Sequence, residues 1–227
     1  MDKTCFICVN TYTSYRLSLG TGPLNDAVTW AKRMKAFGYE IYFMHNPHSR
    51  NFLKYLDAFL EKVKGELVVY YVGHGTSVVD RDGDESDGMD EAMVFDDGTV
   101  IDDVLVNHLC EHKHPDSKLI LVTDACHSGT IWDIHNGSVN GRNLPENVIS
   151  ISAANDKQTA KQTVIDRQEQ GIFTYNISKL LKADPELSPN QLATKMKTIL
   201  RKYSQTFTVG TTTEALLTEP LFSTGEK

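Results

Sequence analysis

The chain has 227 residues, with 23 Lys and Arg against 30 Asp and Glu, and its formal net charge of −7 argues against nucleic acid or an anionic membrane surface as the main partner. A hydrophobic fraction of 40% and a charged fraction of 23% are ordinary globular usage, which excludes a disordered or collagen-like chain and fits a single domain over residues 1–227. No apolar run reaches about 18 residues and the N-terminus carries no signal-like pattern, so the expected setting is cytoplasmic, with no membrane partner.

β-rich apolar runs at 5–9 and 39–43 flank a helical pattern that opens at Asn25 and stops before Gly38. Ser49 is placed to cap a second helix whose apolar face is Phe52, Leu56, Phe59, Leu60 and Val63, with Gly65 as its stop and a buried strand at 67–72 following. A polar, acidic stretch from 73 to 91 precedes a hairpin turn at Asp97 and Gly98, a short helix from Asp102, and another apolar run at 119–122. The segment 135–145 reads as loop and 148–151 as strand. Helices over 172–182 and from Ser188-Pro189, then a β-prone run at 207–209, complete the chain. Strands alternating with helices predict an α/β fold with a mostly parallel central sheet flanked by helices on both faces.

In such a sheet, reacting groups collect at the carboxyl ends of strands. The run 67–72 leads into Gly73-His74-Gly75, and the run 119–122 leads into Thr123-Asp124-Ala125-Cys126-His127-Ser128-Gly129. If the two strands are neighbours, an imidazole and a thiol meet at one sheet edge. The ring then serves as base for the thiol and as acid for the leaving amine. The amides of Gly75 and Cys126 are candidates for an oxyanion hole. A buried, inert thiol is the plain alternative for Cys126 taken alone, and His127 is a rival base that points away from its neighbour on an extended backbone.

Taken together, Tyr71-Val72-Gly73-His74-Gly75, the acidic run Asp82-Gly83-Asp84-Glu85-Ser86-Asp87-Gly88-Met89-Asp90-Glu91 and Asp124-Ala125-Cys126-His127-Ser128-Gly129 resemble a metacaspase. The resemblance starts with Leu24-Asn25-Asp26-Ala27 and runs through 152–160 to Gly171-Ile172-Phe173-Thr174-Tyr175. It implies a caspase-like three-layer sandwich and a monomeric cysteine endopeptidase that uses calcium and cleaves protein or peptide substrates after Arg or Lys. By the same resemblance His74 and Cys126 are the catalytic pair, Asp26 and Asp124 the acidic floor of the substrate pocket, and Asp90, Asp102, Asp103 and Asp133 the calcium ligands. Two carboxylates in a partly desolvated pocket attract a guanidinium or ammonium and repel an acidic side chain, which is why an Asp preference is disfavoured. Two positions depart from the family pattern: Val72 stands where Ser is usual, and Pro23 where Cys is frequent. Both remove polar groups from the pocket wall and leave the choice between Arg and Lys open. The rival from another class is a catalytically silent caspase-fold scaffold that binds calcium.

Other features carry less. The acidic loop offers Asp80, Asp82, Asp84 and Glu91 at EF-hand spacing, but Glu85 stands where the turn needs Gly and no helix leads in. His108, Cys110, His112 and His114 alternate and suggest zinc, but alternate positions spread around a helix axis instead of facing one ion, so a solvated helix end is the favoured reading over a metal site. Cys5 and Cys8 form a C-x-x-C inside an apolar strand, which favours packing over redox chemistry. Arg142, Lys157, Lys161 and Arg167 are the candidate points of self-cleavage.

Overall fold

The computed structural model describes residues 2–79, 89–125, 131–132, 134, 138–139, 142–154, 162–165 and 168–224. β1 (Lys3–Val9), α1 (Gly22–Ala36), β2 (Glu40–His45), α2 (Ser49–Lys62) and β3 (Glu66–Val72) form two successive strand-helix-strand units. A side sheet follows, built from β4 (Gly75–Val79), β5 (Met89–Phe95) and β6 (Gly98–Ile101), and it leads into α3 (Asp102–His112) and then β7 (Lys118–Asp124). β8 (Ser138–Val139) pairs with β9 (Arg142–Asn143) in the stretch expected to be loop, and β10 (Val148–Ala154) returns to the centre. The hairpin of β11 (Gln162–Ile165) and β12 (Gln168–Gly171) precedes α4 (Ile172–Ala183), α5 (Pro189–Leu200) and β13 (Thr206–Thr211).

Among the described residues the central sheet has six strands in the order β13-β10-β7-β3-β1-β2, parallel throughout except for β13 at its edge. Side chains alternate across it, as the period of two requires. Cys5, Ile7, Val9, Val68, Tyr70, Ile120, Val122, Ile149 and Ile151 face α1, α4 and α5. Phe6, Cys8, Leu67, Val69, Tyr71, Leu119 and Leu121 face α2 and α3. Both faces are covered, which explains why β1, β3 and β7 read as continuous apolar runs rather than alternating ones. Cys5 and Cys8 are fully buried packing residues on opposite faces, and burial pushes both thiols well above their ordinary pKa. The aromatic block of the first face stacks Trp30 on Tyr70 at 5.1 Å and sets Phe222 edge-on to Trp30 at 5.9 Å, which pins residues 221–222 into the core.

Several helix signals act differently from expectation. α1 opens at Gly22, three residues ahead of Asn25, because Pro23 occupies its first turn, where a missing N–H is no loss. Ser49 is the first helical residue of α2, not its cap; the Asp97 carboxylate from the β5–β6 turn accepts hydrogen bonds from its amide at 2.9 and 3.1 Å and from its hydroxyl at 2.9 Å. Gly65 lies beyond the end of that helix, and its constraint is proximity: a Cβ there collides with the carbonyl of Asp2. α5 starts as expected, with Ser188 and Gln191 bonded reciprocally at 3.3 and 2.9 Å in a capping box. No helix among the described residues is long and apolar enough to cross a membrane.

Candidate active site

β3 and β7 are parallel neighbours, with Val72 in register opposite Asp124. Gly73 donates its amide to the Asp124 carbonyl at 3.4 Å, so the pairing persists one residue past the strand end. The chain leaves β3 toward His74 and leaves β7 toward Cys126, each two residues beyond this register pair. Gly73 is required at the crossing, since a Cβ would come within 2.8 Å of the Tyr12 hydroxyl and 2.9 Å of the Tyr71 hydroxyl. Gly75 opens β4 and pairs with Met93 in register. Trp132 is buried and donates its Nε1–H to the Thr123 hydroxyl at 3.0 Å, which ties the chain after the thiol motif back onto β7.

His74 is partly buried and held from three sides. Its Nε2 lies 2.8 Å from the Leu17 carbonyl oxygen. A carbonyl only accepts, so Nε2 carries the proton and Nδ1 keeps a lone pair for a thiol. The ring stacks on Tyr12 at 4.8 Å, and the His74 amide donates to the Tyr12 hydroxyl at 2.5 Å. Tyr12 in turn donates to the Val94 carbonyl at 3.1 Å, while Tyr71 spans the His74 and Val94 carbonyls at 2.8 and 2.9 Å. Burial, above all, pushes the Tyr12 phenol up to about 12, so it stays a neutral donor at working pH. Tyr12 adopts a left-handed φ of 63°, which a non-glycine residue holds only under external constraint. Asn46 supplies it, since its side-chain oxygen accepts from the amides of Thr11 and Tyr12 at 2.8 and 3.1 Å.

The second constellation lies on the α1 side of the same edge. Asp26, on α1, is 2% exposed and Asp124, ending β7, is 5% exposed. The Gly171 amide donates to both Asp26 carboxylate oxygens at 2.7 and 2.9 Å, and the Thr174 hydroxyl donates to Asp124 Oδ2 at 2.6 Å. Tyr70 joins the Thr174 hydroxyl at 2.7 Å. A Cβ on Gly171 would sit 2.7 Å from an oxygen of Asp26 and 3.0 Å from one of Asp124, so the two acids flank one point, kept open by the absence of a side chain. Burial raises both carboxyls above the ordinary carboxylate range, and the neighbouring Asp124 charge raises Asp26 further. Two carboxylates in a desolvated place disfavour ionising together.

The other acidic residues gather where the side sheet meets α3. Asp90 lies on β5 and is buried, and Asp102 and Asp103 form the first turn of α3. The helix cap is Ile101, so Asp102 does not cap; it accepts from the Asp103 amide at 3.0 Å and from the Glu91 amide at 3.1 Å, tying α3 to β5. Burial pushes its carboxyl up to about 7, against the lowering pull of those two amides and with the charges of Glu91 and Asp90 adding to the rise. Asp90 and Asp103 line a common cavity of about 720 Å³. An all-oxygen, carboxylate-rich donor set suits a hard cation such as calcium. Among the described residues, however, Asp90, Asp102 and Asp103 do not bring ligand atoms within 4.8 Å of one another as a set; a different trio, Asp57, His108 and His112, does.

Cys126, Asp133, Lys157, Lys161 and Arg167 lie outside the described residues, and of Arg142 only the backbone position, in β9, is described. Val72 is buried and Pro23 is a buried helix-starting residue, so the two departures from the family pattern serve strand packing and helix initiation. Tyr12, the Leu17 carbonyl and Tyr70 were invisible to motif reading. Gly171 and Thr174 lay inside the motif Gly171-Ile172-Phe173-Thr174-Tyr175, which carried the resemblance without showing their contacts to the acids.

A family model described as the caspase domain matches residues 2–222 of this chain. Metacaspase-1 of Yarrowia lipolytica is 27% identical over 199 residues, covering 61% of this chain and 43% of that relative. Metacaspase-3 of Arabidopsis thaliana is 28% identical over 208 residues, covering 80% of this chain and 58% of the relative. The chain thus spans about half the length of the curated relatives it matches. Among solved structures, a protein from Geobacter sulfurreducens superposes with a TM-score of 0.74 at 18% identity over 100% of both chains. Caspase-1 from Spodoptera frugiperda gives 0.66 at 12% identity over 93% of this chain and 88% of that one. At those identities the structural likeness establishes the fold alone.

Proposed function

The chain belongs to the caspase-domain family of cysteine peptidases and is metacaspase-like within it, and from that premise we propose that it is a calcium-dependent endopeptidase cutting protein substrates after Arg or Lys. The observation that carries the reading is the Val72–Asp124 register, which ends side by side the two strands that precede the histidine and thiol motifs, next to a buried pair of acids. In this reading the Cys126 thiol gives its proton to His74 Nδ1 as Sγ bonds to the scissile carbonyl carbon. The carbonyl oxygen takes the negative charge, facing the Gly75 and Cys126 amides. Collapse breaks the C–N bond, the amine leaves with the His74 proton, and water then releases the acyl group by the same route. The Leu17 carbonyl and Tyr12 are positioning groups: they fix the ring's tautomer and plane while Nδ1 works.

Asp26 and Asp124 hold the basic side chain, whose charge relieves their mutual repulsion. Calcium would be held by Asp90, Asp102 and Asp103 with Asp133, supplying the positive charge that draws these acidic segments together. Burial and the elevated pKa of Asp102 support that assignment, because a carboxylate held in such a place gains most from a cation. The proposal extends to a monomeric, cytoplasmic enzyme able to cut itself, with Arg142, Lys157, Lys161 and Arg167 as the sites to inspect.

The test is hydrolysis of peptides carrying Arg, Lys or Asp before the scissile bond, with calcium and with chelator, for the native chain and Cys126→Ala. Calcium-dependent turnover of the basic peptides, lost in the variant, is expected. Turnover that persists in chelator removes calcium from the mechanism. No turnover across a wide calcium range leaves the silent scaffold as the function. Intact mass and size-exclusion measurements on the same samples read self-cleavage and oligomeric state.

A further inference from the structure

α2 and α3 lie side by side on the sheet face opposite the Asp26–Asp124 pocket. Asp57 and Glu61 are four residues apart on α2, and His108 and His112 four apart on α3, so each pair shares one face of its helix. The two faces meet. His108 Nδ1 is 2.5 Å from Asp57 Oδ1, His112 Nε2 is 3.7 Å from Asp57 Oδ2, and the two imidazoles are 5.9 Å apart with 29° between their planes. One ligand atom from each of Asp57, His108 and His112 falls within 4.8 Å of the others. All three side chains are between 23% and 27% exposed, buried enough to be ordered and open enough for an ion to enter.

We propose that Asp57, His108 and His112 form a binding site for a borderline divalent transition-metal ion, with Zn²⁺ as the natural probe, that clamps α2 to α3. Tetrahedral zinc with bonds near 2.0–2.2 Å sets neighbouring ligand atoms about 3.4 Å apart, a spacing that one atom from each of these residues, already within 4.8 Å of the others, reaches by side-chain adjustment alone. An ion replaces the proton shared by His108 and Asp57 and pushes that pair apart by less than the length of a bond.

Glu61 supplies an independent pointer. Its carboxylate lies 2.7 Å from His112 Nδ1, so that nitrogen carries a proton, and Nε2, 3.7 Å from Asp57 Oδ2, is the nitrogen left for an ion. A carboxylate holding the far nitrogen of a histidine is the usual way a protein fixes a metal-binding imidazole. Two nitrogens and a carboxylate leave one position for water, and nitrogen donors select zinc, cobalt or nickel over calcium. The site is therefore distinct in chemistry and in place from the Asp90, Asp102 and Asp103 cluster, although the clamp holds the same helix whose first turn carries two of those acids.

The experiment uses the full chain as Cys126→Ala, which removes the reactive thiolate as a competing zinc ligand, in saturating calcium. Calorimetric titration with Zn²⁺ is expected to show one tight equivalent, and 100-fold excess over Kd raises Tm by about 5–10 °C. His108→Gln and His112→Gln each weaken Zn²⁺ binding by well over about 100-fold and abolish the Tm rise, whereas Glu61→Gln weakens it about ten-fold and roughly halves the rise. Co²⁺ develops the intense visible absorption of a tetrahedral site in the parent and not in the histidine variants. Cys110→Ser and His114→Gln, placed on and just beyond the same helix, leave all three readouts unchanged. Metal-free Tm and circular dichroism confirm that each variant folds, and Asp57→Asn replaces any that does not. Zinc binding that survives the double variant His108→Gln/His112→Gln, that follows Cys110 or His114 instead, or that is absent from the parent overturns the proposal.

Discussion

On the proposed function, Asp26→Asn separates the acids' part in binding a basic side chain from their part in stability. The substitution keeps the shape and removes one charge from a pair that Gly171 and Thr174 hold in place. A hydrogen bond to a charged partner contributes about 1.5–3 kcal/mol, so kcat/KM for an Arg peptide falls roughly 10- to 150-fold. A Gln peptide of similar length falls little. The stability effect has the opposite sense. Folding raises the pair's pKa, so between the ordinary carboxylate range and its own titration the native state holds more protons than the unfolded chain, and wild-type stability falls as pH rises through that window. Asp26→Asn lacks most of that fall. It loses about 1 kcal/mol at pH 5, where one Gly171 bond is weakened, and gains on the wild type toward pH 8. Urea melts of both proteins at half-unit pH intervals read the stability difference, and the ratio of Arg to Gln kcat/KM cancels titration of the catalytic dyad. A stability difference flat from pH 4 to 9, or unchanged Arg turnover in the variant, refutes the reasoning.

Tyr12→Phe removes the hydroxyl that receives the His74 amide and reaches the Val94 carbonyl; about 1–1.5 kcal/mol of positioning is lost, so kcat should fall about ten-fold with KM unchanged in steady-state assays. Gly171→Ala pushes a methyl between the two pocket acids, and Arg-peptide kcat/KM should fall at least about ten-fold while backbone circular dichroism stays native. Phe222→Ala empties the aromatic block against Trp30 and Phe37, and chemical denaturation should show a loss of about 3–5 kcal/mol.

The sheet was legible because parallel strands buried on both faces leave unbroken apolar runs, and β1, β3 and β7 all carry them. The link from Gly73-His74-Gly75 to Asp124-Ala125-Cys126 needed only that β3 and β7 be neighbours, which their register makes them. What sequence concealed were groups that act through backbone atoms or through packing. A carbonyl such as that of Leu17 has no residue identity to read, and Tyr12 gains its role from a left-handed backbone that Asn46 imposes. The alternating histidines hid their own pattern in another way. Read at every second position they scatter around a helix, yet His108 and His112 are one turn apart, and their partners Asp57 and Glu61 lie 51 residues earlier on a helix that only the fold brings alongside.

The fold buries unfavourable charge at two places. Asp26, Asp124 and Asp102 are buried carboxyls held above their ordinary range by desolvation, with the charge of Asp124 adding to the rise at Asp26 and those of Glu91 and Asp90 adding at Asp102. Each group is tethered by amides or hydroxyls, which spares the acids from being orphaned without neutralising them. Replacing such acids with apolar residues would stabilise the empty protein, so their burial is an argument for ligands that carry positive charge. On the proposed function those ligands are the substrate's guanidinium or ammonium at one group and calcium at the other. A cation at either place removes a repulsion that the native state otherwise carries, so basic substrate and metal ion should each raise Tm of Cys126→Ala most at high pH, where the acids are ionised, and least near pH 5, where protons already occupy them.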